Sequence, residues 1–429
     1  MHDCDQFAGH TRRRFLEGSA ALAAGSLLAP LATHAQGGRR VKLGYVAPIT
    51  GPLAAFGEPV RYVVERARTI LKPGLTVGGR SHPVEIILKD SQSNPNRAGE
   101  VAAELILRDK IDVMLVSSTP DTTNPVADQC EVNEVPYIST DCPWQPWFFG
   151  RGGKPDVGFK WAYHFFWGLE DVIAVFLAMW DQIPTNRVVG GLFPNDADGN
   201  AWGDPNLGLP PALAKANYKL IDPGRYQNLT NDFSAQIAAF KQAGCEIVTG
   251  NMIPPDFKTF WTQARQQGFR PKIVSIGKAL LFAPSIEALG DLGDGLTTEV
   301  WWGPTHPFKS TLTGQSAGEL VLEYEQATKK QWAQSLGFAH ALFEVTVDVS
   351  KRVKDIGNRT EVRDAIAATK MTTIVGPVAW TGQPVKNICK TPLVGGQWIK
   401  GKKHRYELAV VSNTTAPAIP LGAKIRPLA

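Results

Sequence analysis

One loop of the sequence places oxygen-bearing side chains at alternate positions, as calcium-binding loops do. It reads DADGNAWGD, residues 196–204. A calcium loop has glycine at its sixth position and glutamate at its twelfth, and this loop has Ala201 and Leu207 there. The alternative is a turn in which Asp and Asn side chains accept backbone hydrogen bonds. We favour the turn and expect no metal site.

Signatures of common enzyme classes do not accompany this loop. The sequence has no GxGxxG, no P-loop and no HExxH, and its 8 histidines include no pair at metal-ligand spacing. Its cysteines form no CxxC pair that would bind zinc or carry redox chemistry. We expect no catalytic residues, no enzymatic activity and no cofactor. Buried free thiols are expected, with a Cys130–Cys142 disulfide as the alternative.

Length and composition indicate a folded protein of two domains. The chain has 429 residues, of which 43% are hydrophobic and 20% charged. A chain of this length and composition can form a larger hydrophobic core than a single domain usually has. The formal net charge is +5, and the basic residues are scattered rather than gathered into runs with aromatics between them. We therefore expect no nucleic-acid partner.

The first 36 residues have the features of an export signal. Residues 11–16 read TRRRFL and contain a twin-arginine pair, and a weakly apolar run follows from Gly18 to Leu31. That run is shorter than the roughly 20 residues a membrane-spanning helix needs. We expect residues 1–36 to be a twin-arginine signal peptide, with its cleavage site after Ala35, and the mature protein to be periplasmic.

The positions of the candidate site residues depend on an alternation of apolar strands and amphipathic helices, typical of parallel sheets covered on both faces. Strands are predicted at Val41–Val46, Val84–Leu88, Val113–Val116, Tyr137–Ser139, Val188–Phe193, Tyr218–Ile221, Glu246–Gly250 and Lys272–Gly277. The sequence therefore predicts an α/β fold of two doubly wound, Rossmann-like lobes with parallel sheets. Lobe one is residues 41–163 and 304–377, lobe two is residues 164–300 and 381–411, and residues 412–429 are a C-terminal tail.

Four short segments occur in a familiar order: GPLAAFG at 51–57, DSQSNP at 90–95, Gly268-Phe269 and GPVAW at 376–380. Together they resemble the leucine/isoleucine/valine-type periplasmic binding proteins of ABC importers. The resemblance runs from about Val41 to about Trp398. It implies the type I periplasmic binding protein fold, with a three-segment hinge whose crossings lie near residues 160–166, 299–303 and 375–381.

The resemblance also implies a function. A protein of this family holds a small molecule in the cleft between its lobes and delivers it to the membrane permease of the importer. We expect a monomeric solute-binding receptor for an amino acid or a related carboxylated or aromatic compound. The alternatives are a ligand-sensing module for a signalling partner and, less favoured, an exported enzyme.

Two loops of lobe one are candidate ligand contacts, because ligands bind where parallel strands end and helices begin. In the loop 117–124, ahead of a helix predicted from about Pro125, Thr119, Asp121 and Thr122 align with the family's hydroxyl-bearing ligand loop. An N-cap role is the alternative for Asp121.

The second loop, residues 140–144, has Pro143 where the family has a threonine that grips the ligand. The candidates there are Asp141, Cys142 and Trp144, and the tryptophan would narrow the cleft.

Four further candidates come from the resemblance. Phe56 and Trp202 stand where the family has cleft tyrosines, with burial in the core as the alternative. A third tyrosine position is occupied by Met252 or Ile253. Lys278 stands where the family usually has a glutamate that neutralises the ligand ammonium. If Lys278 faces the cleft, the charge offered to the ligand changes sign and an anionic ligand is favoured; a solvated loop lysine is the alternative.

Overall fold

Two large β-sheets organise the computed structural model, which describes residues 38–428. The expected signal peptide, residues 1–36, lies outside the described residues. The strands are, in chain order, β1 (Val41–Ala47), β2 (Leu75–Val77), β3 (Arg80–His82), β4 (Val84–Asp90), β5 (Val113–Ser117), β6 (Tyr137–Thr140), β7 (Ala162–Phe165), β8 (Val188–Leu192), β9 (Lys219–Ile221), β10 (Ile247–Met252), β11 (Ile273–Lys278), β12 (Thr297–Val300), β13 (Lys370–Thr373), β14 (Gly376–Ala379), β15 (Ile388–Cys389), β16 (Val394–Lys400) and β17 (Tyr406–Ser412).

Helices connect most of the successive strands. They are α1 (Ala54–Gly57), α2 (Val60–Ile70), α3 (Pro95–Ala103), α4 (Pro120–Val132), α5 (Trp144–Phe148), α6 (Leu169–Trp180), α7 (Ala197–Trp202), α8 (Leu209–Lys215), α9 (Ser234–Ala243), α10 (Pro254–Gln266), α11 (Ala283–Glu287), α12 (Ala317–Thr328), α13 (Ser335–Arg352) and α14 (Arg359–Ala367). Within residues 38–428 none of them combines the length and apolar character that crossing a membrane requires.

The first sheet has the strand order β15-β7-β6-β5-β1-β4, and its paired strands are all parallel. Every residue of β5, VMLVS, is buried, as expected for a central parallel strand covered on both faces. Helix α3 begins at Pro95 because proline suits the first helical position, and the Asn94 side chain accepts a hydrogen bond from the Arg97 N–H. This sheet and its helices form lobe one.

The second sheet has the order β17-β16-β12-β11-β10-β8-β9. Its strands from β8 to β12 pair in parallel, and β16 and β17 add an antiparallel edge. This sheet defines lobe two. The prediction of two α/β lobes built on parallel sheets is confirmed.

The lobe boundaries differ from the predicted ones in two places. All of β7 belongs to the first sheet, so lobe two begins after Phe165 rather than at residue 164. Strand β15 pairs in parallel with β7, so the segment 381–411 is divided between the lobes. The physical reason is the Asn387 side chain, which bonds the backbone N–H and C=O of Phe159 at 2.8 and 3.0 Å and holds the chain on lobe one. The chain therefore crosses between lobes after β7, β12 and β15, the last crossing later than predicted.

The pentapeptide GQSAG at 314–318 matches the GxSxG pattern of hydrolase nucleophiles. In the structure Ser316 is the N-cap of α12: its hydroxyl accepts from the Glu319 N–H at 3.3 Å, and its own N–H donates to the Glu319 carboxylate at 2.8 Å. This is a capping box, which fixes a helix start. A nucleophile of this pattern instead sits on a turn between a strand and a helix, so the match is structural here.

The cysteines within residues 38–428 are free and buried. They are Cys130, Cys142, Cys245 and Cys389. The expectation of free thiols is confirmed for these four, and the Cys130–Cys142 disulfide is not formed. Cys4 lies outside the described residues.

Candidate functional site

The carboxyl ends of strands from both sheets meet at a cavity between the lobes. Lobe one contributes residues that follow β1, β5 and β6, the crossing after β7 contributes two aromatic residues, and lobe two contributes residues at or after the ends of β8, β10, β11 and β12. The lining residues are Phe56, Thr119, Asp141, Pro143, Phe166, Trp167, Asp198, Trp202, Asn251, Lys278, Leu281, Glu299 and Trp301. The space among them in this structure is about 20 Å³, room for about one water molecule, so the lobes must part or the side chains must shift to admit a solute.

The two lobes touch beside this cavity. The ring of Phe56 in lobe one meets that of Phe282 in lobe two edge to face, with centroids 4.9 Å apart. The Asp121 carboxylate of lobe one accepts a hydrogen bond of 3.4 Å from the Ala197 N–H of lobe two. The structure is therefore of the closed type, with the lining side chains buried between the lobes.

The loop after β5 differs from its prediction at the helix start. Helix α4 begins at Pro120 rather than near Pro125, because a proline fits the first helical position, where no N–H is needed. Thr119 precedes the helix, and its buried hydroxyl lines the cavity without a hydrogen-bond partner. The Thr122 hydroxyl pairs with that of Ser118 at 2.5 Å and is outside the lining. Asp121 does not cap the helix but reaches across to lobe two.

The loop after β6 presents a buried carboxyl group to the cavity. Asp141 adopts a left-handed backbone conformation, with φ of 75°, and neither of its carboxylate oxygens has a hydrogen-bond partner. Burial raises the pKa of Asp141 well above its ordinary value. The neighbouring side chain of Cys142 packs in the lobe-one core, and Trp144 is half-buried, its indole N–H donating to Glu170 at 3.2 Å. Of these three candidates, only Asp141 lines the cavity.

His164 fixes the shape of this loop. Its Nε2 lies 2.8 Å from the Cys142 carbonyl oxygen, so Nε2 carries the proton, and Nδ1 accepts from the Ser139 hydroxyl at 2.8 Å. Burial lowers the pKa of His164 to about 3, so the ring is neutral. The imidazole thereby holds the backbone immediately after Asp141.

Lys278 lines the cavity, but it is paired with two carboxylates. Its Nζ lies 2.8 Å from Asp198 Oδ2 and 3.0 Å from Asp196 Oδ2, and all three side chains are almost fully buried. Burial alone would lower the pKa of Lys278, but the two aspartates raise it above its ordinary value. Lys278 is therefore not a solvated loop lysine, and it does not offer the ligand an uncompensated positive charge. The prediction of an anionic ligand required a free positive charge on Lys278, so it no longer follows.

The same pairing explains the acidic loop at 196–204. Asp196 is the N-cap of α7 and accepts the Gly199 N–H at 2.7 Å, and Asp204 accepts the N–H groups of Asn206 and Leu207 at 2.8 and 2.9 Å. These are the Asx hydrogen bonds of the turn interpretation. The remaining acid, Asp198, points to Lys278, and burial raises the pKa of Asp198 to about 6.

Glu299, on β12, brings a further carboxyl group to the cavity. Its Oε2 accepts a hydrogen bond of 2.9 Å from the Thr298 hydroxyl, and burial raises the pKa of Glu299 to about 7. A Cβ on Gly277 would lie 3.3 Å from Glu299 Oε1 and 3.2 Å from the Trp202 ring. The absence of a side chain at Gly277 therefore lets the carboxylate and the indole pack closely against this strand.

Aromatic rings form much of the wall. Phe56 and Trp202, expected at the cleft, both line it, together with Phe166, Trp167 and Trp301. The indole N–H groups of Trp167 and Trp301 are buried without hydrogen-bond partners. Met252 is instead fully buried in the lobe-two core, and Asn251 before it lines the cavity with both amide atoms unpaired.

Comparison with known proteins identifies the family to which the chain belongs. Residues 40–402 match the family model described as periplasmic binding protein. The chain belongs to the periplasmic binding protein family. Over 225 residues, 48% of this chain and 53% of the relative, it is 25% identical to a Leu/Ile/Val-binding protein homolog from Brucella melitensis. The match thus spans about half of that relative's length.

Solved structures show that this periplasmic binding protein shares its fold with others. A leucine-binding protein from Thermotoga maritima superposes with a TM-score of 0.70 at 20% identity, covering 87% of this chain and 99% of that one. A solute-binding protein of an ABC transporter from Rhodopseudomonas palustris, in complex with 3,4-dihydroxybenzoic acid, gives a TM-score of 0.68 at 18% identity, covering 88% and 99%. The suspected family membership is confirmed.

Several lining residues of the periplasmic binding protein were missed by sequence reasoning. Asn251 carried a usable signal, since it is a polar residue at the carboxyl end of a buried strand. Glu299 carried another, a lone carboxylate in the segment TTEVWW, which was interpreted as a hinge. Phe166 and Trp301 follow the crossing strands, and their sequence gave no sign of which lobe surface they face.

Proposed function

We propose that this protein is an exported receptor that binds a small organic solute between its lobes and delivers it to the permease of an ABC importer. The observation that carries the proposal is the set of buried polar atoms without partners around the cavity: Thr119 Oγ1, both oxygens of Asp141, Asp198 Oδ1, the Asn251 amide and the indole N–H groups of Trp167 and Trp301. A buried polar group without a hydrogen bond costs about 1–3 kcal/mol. A polar ligand would supply the missing partners.

The ligand contacts proposed from the sequence that line the cavity are Phe56, Thr119, Asp141, Trp202 and Lys278. They come from both lobes, so a bound solute would bridge them and favour closure. The ligand class is an amino acid or a related small compound with an apolar body. The expected export signal would place this receptor in the periplasm, where it would act as a monomer.

Thermal-shift and small-angle scattering measurements on the mature protein test this proposal. Amino acids, amines, aromatic acids and short-chain acids are screened, after denaturation and refolding have removed any solute retained from the cell. A ligand that binds only the folded state at 100 times its Kd stabilises by about 2.7 kcal/mol, so the melting temperature rises. The radius of gyration falls with the same compound. If no compound moves either observable, the receptor proposal is wrong.

A further inference from the structure

The cavity of the proposed receptor holds more acidic than basic groups. Asp141, Asp198 and Glu299 line it, and Lys278 is the basic residue among its described lining residues. The charge of Lys278 is already engaged by Asp198 and by Asp196 behind it. The lining therefore offers carboxyl groups that have no cationic partner within the protein.

Asp141 and Glu299 are the two carboxyl groups left over. Asp141 accepts no hydrogen bond, and Glu299 accepts one from Thr298. Burial, and for Glu299 also the charge of Asp198, favour the protonated forms of both groups. A cation placed beside them would reverse this preference by stabilising the ionised carboxylates.

The aromatic rings of the cavity wall also favour a positively charged ligand. Five rings line the cavity, and three of them are indoles: Phe56, Phe166, Trp167, Trp202 and Trp301. The faces of such rings attract cations, tryptophan most strongly, and a desolvated contact contributes about 2 kcal/mol. The Trp202 ring and Glu299 Oε1 both pack close over Gly277, 3.2 and 3.3 Å from the position that a Cβ would take. One carboxyl group and one indole ring are therefore neighbours in the cavity wall.

Resting on the proposed function, we propose that the solute is a small organic cation, an ammonium group on an aliphatic or aromatic body. The ammonium group lies beside Glu299 and the Trp202 ring, and the apolar body lies among the remaining rings once the lining has moved to admit it. The indole N–H groups of Trp167 and Trp301 and the Asn251 amide remain for a polar group at the other end. A carboxylate on the ligand is not required, and a ligand whose only charge is negative is disfavoured by Asp141, Asp198 and Glu299.

Two matched probe series, in which only the charge changes, test the substrate class. The first is 3-methylbutylamine, leucine and 4-methylpentanoate, and the second is benzylamine and benzoate. Calorimetric titrations of the mature protein at about pH 8 are expected to show an amine bound at least about tenfold more tightly than the matching acid. Glu299→Gln should weaken amine binding by about tenfold or more, since a charge-assisted contact contributes about 1.5–3 kcal/mol.

A matched control is available in lobe one. Glu344 is also a buried glutamate, and burial raises its pKa to about 7, but it is outside the cavity lining and accepts hydrogen bonds from the Thr311 and Ile374 N–H groups. Glu344→Gln should leave the amine affinity unchanged. Tighter binding of the acids, no binding of either amine, or equal loss in both variants overturns the cation proposal. The receptor proposal itself survives these outcomes if any other compound of the screen binds, and fails only if none does.

Discussion

The Lys278 ammonium nitrogen lies 2.8 Å from Asp198 Oδ2, and the carboxylate of Asp196 lies 3.0 Å from it on the same buried surface. The sequence predicts Lys278 as a positively charged ligand contact. In the structure this lysine is instead the centre of a buried ion cluster with the two aspartates. The cluster joins the loop after β8 to the end of β11, and two of its members, Lys278 and Asp198, line the cavity.

Removing the lysine from this cluster should destabilise the protein. Lys278→Met would leave Asp196 and Asp198 buried without their cation, and breaking a buried ion pair from one side costs about 3–5 kcal/mol. Equilibrium denaturation measures the loss. Lys160→Met, which breaks the exposed pair between Lys160 and Glu134, is the control and should change little. An unfolding free energy of Lys278→Met equal to that of the control variant would contradict the buried cluster.

The pKa of Glu299 predicts a pH dependence of stability. In the folded protein this carboxyl keeps its proton up to about pH 7, whereas its ordinary pKa is 4.5. Between these values the folded state binds more protons than the unfolded state, so the free energy of unfolding falls as the pH rises. Glu299→Gln has no such proton. Its stability relative to the wild type should therefore increase from about pH 5 to about pH 8, by up to about 3 kcal/mol. A pH-independent difference in urea denaturation would be incompatible with this assignment.

His164 should act as a neutral clamp on the Asp141 loop. His164→Leu removes the donor to the Cys142 carbonyl and leaves that oxygen and the Ser139 hydroxyl unpaired, at about 1–3 kcal/mol per buried group. His164→Gln can still donate to the carbonyl and should lose less. Burial lowers the pKa of His164 from 6.5 to about 3, so below about pH 6.5 the unfolded state alone takes up a proton and the wild-type free energy of unfolding falls. The two variants have no such proton, so the loss should be largest near pH 8 and smaller by about 2 kcal/mol near pH 5. A loss that stayed constant across that range would mean that folding does not lower the pKa of the ring.

The export prediction rests on the twin-arginine pair. Replacing Arg12 and Arg13 with lysine in the full precursor should retain it in the cytoplasm, since the pathway reads the arginine pair. Cell fractionation and the size of the processed chain measure this. Replacing Arg39 and Arg40, which lie beyond the signal, with lysine is the matched control and should leave export unchanged. Normal processing of the Arg12 and Arg13 variant would remove the twin-arginine assignment.

Much of the fold could be predicted because its patterns are local. Buried parallel strands such as β5 show as short apolar runs, and the helices between them carry one apolar face. The placement of β15 could not be predicted in this way. It is two residues long, and it is held on lobe one by hydrogen bonds between Asn387 and Phe159, 228 residues earlier in the sequence.

The site was predictable in its position and less so in its charges. Phe56 and Trp202 lie in the short helices α1 and α7 that follow β1 and β8, where the rule for parallel sheets places ligand contacts. The partner of Lys278 is 82 residues away, and no local pattern shows that two loops will meet. The sequence therefore predicts Lys278 as a free positive charge, and the structure shows the two carboxylates that pair with it.

Native mass spectrometry of wild type and Gly277→Ala tests the central claim most directly. The added methyl group would lie 3.2–3.3 Å from the Trp202 ring and Glu299 Oε1 on a backbone that is not left-handed, so the variant should fold with these two cavity side chains displaced. The wild type purified under gentle conditions, or given the compound that most stabilises it, should carry one small molecule that acid denaturation releases, and Gly277→Ala should lose most of that occupancy. An equal adduct on both proteins, or none on the wild type after every compound of the screen has been added, would contradict a ligand site between the lobes.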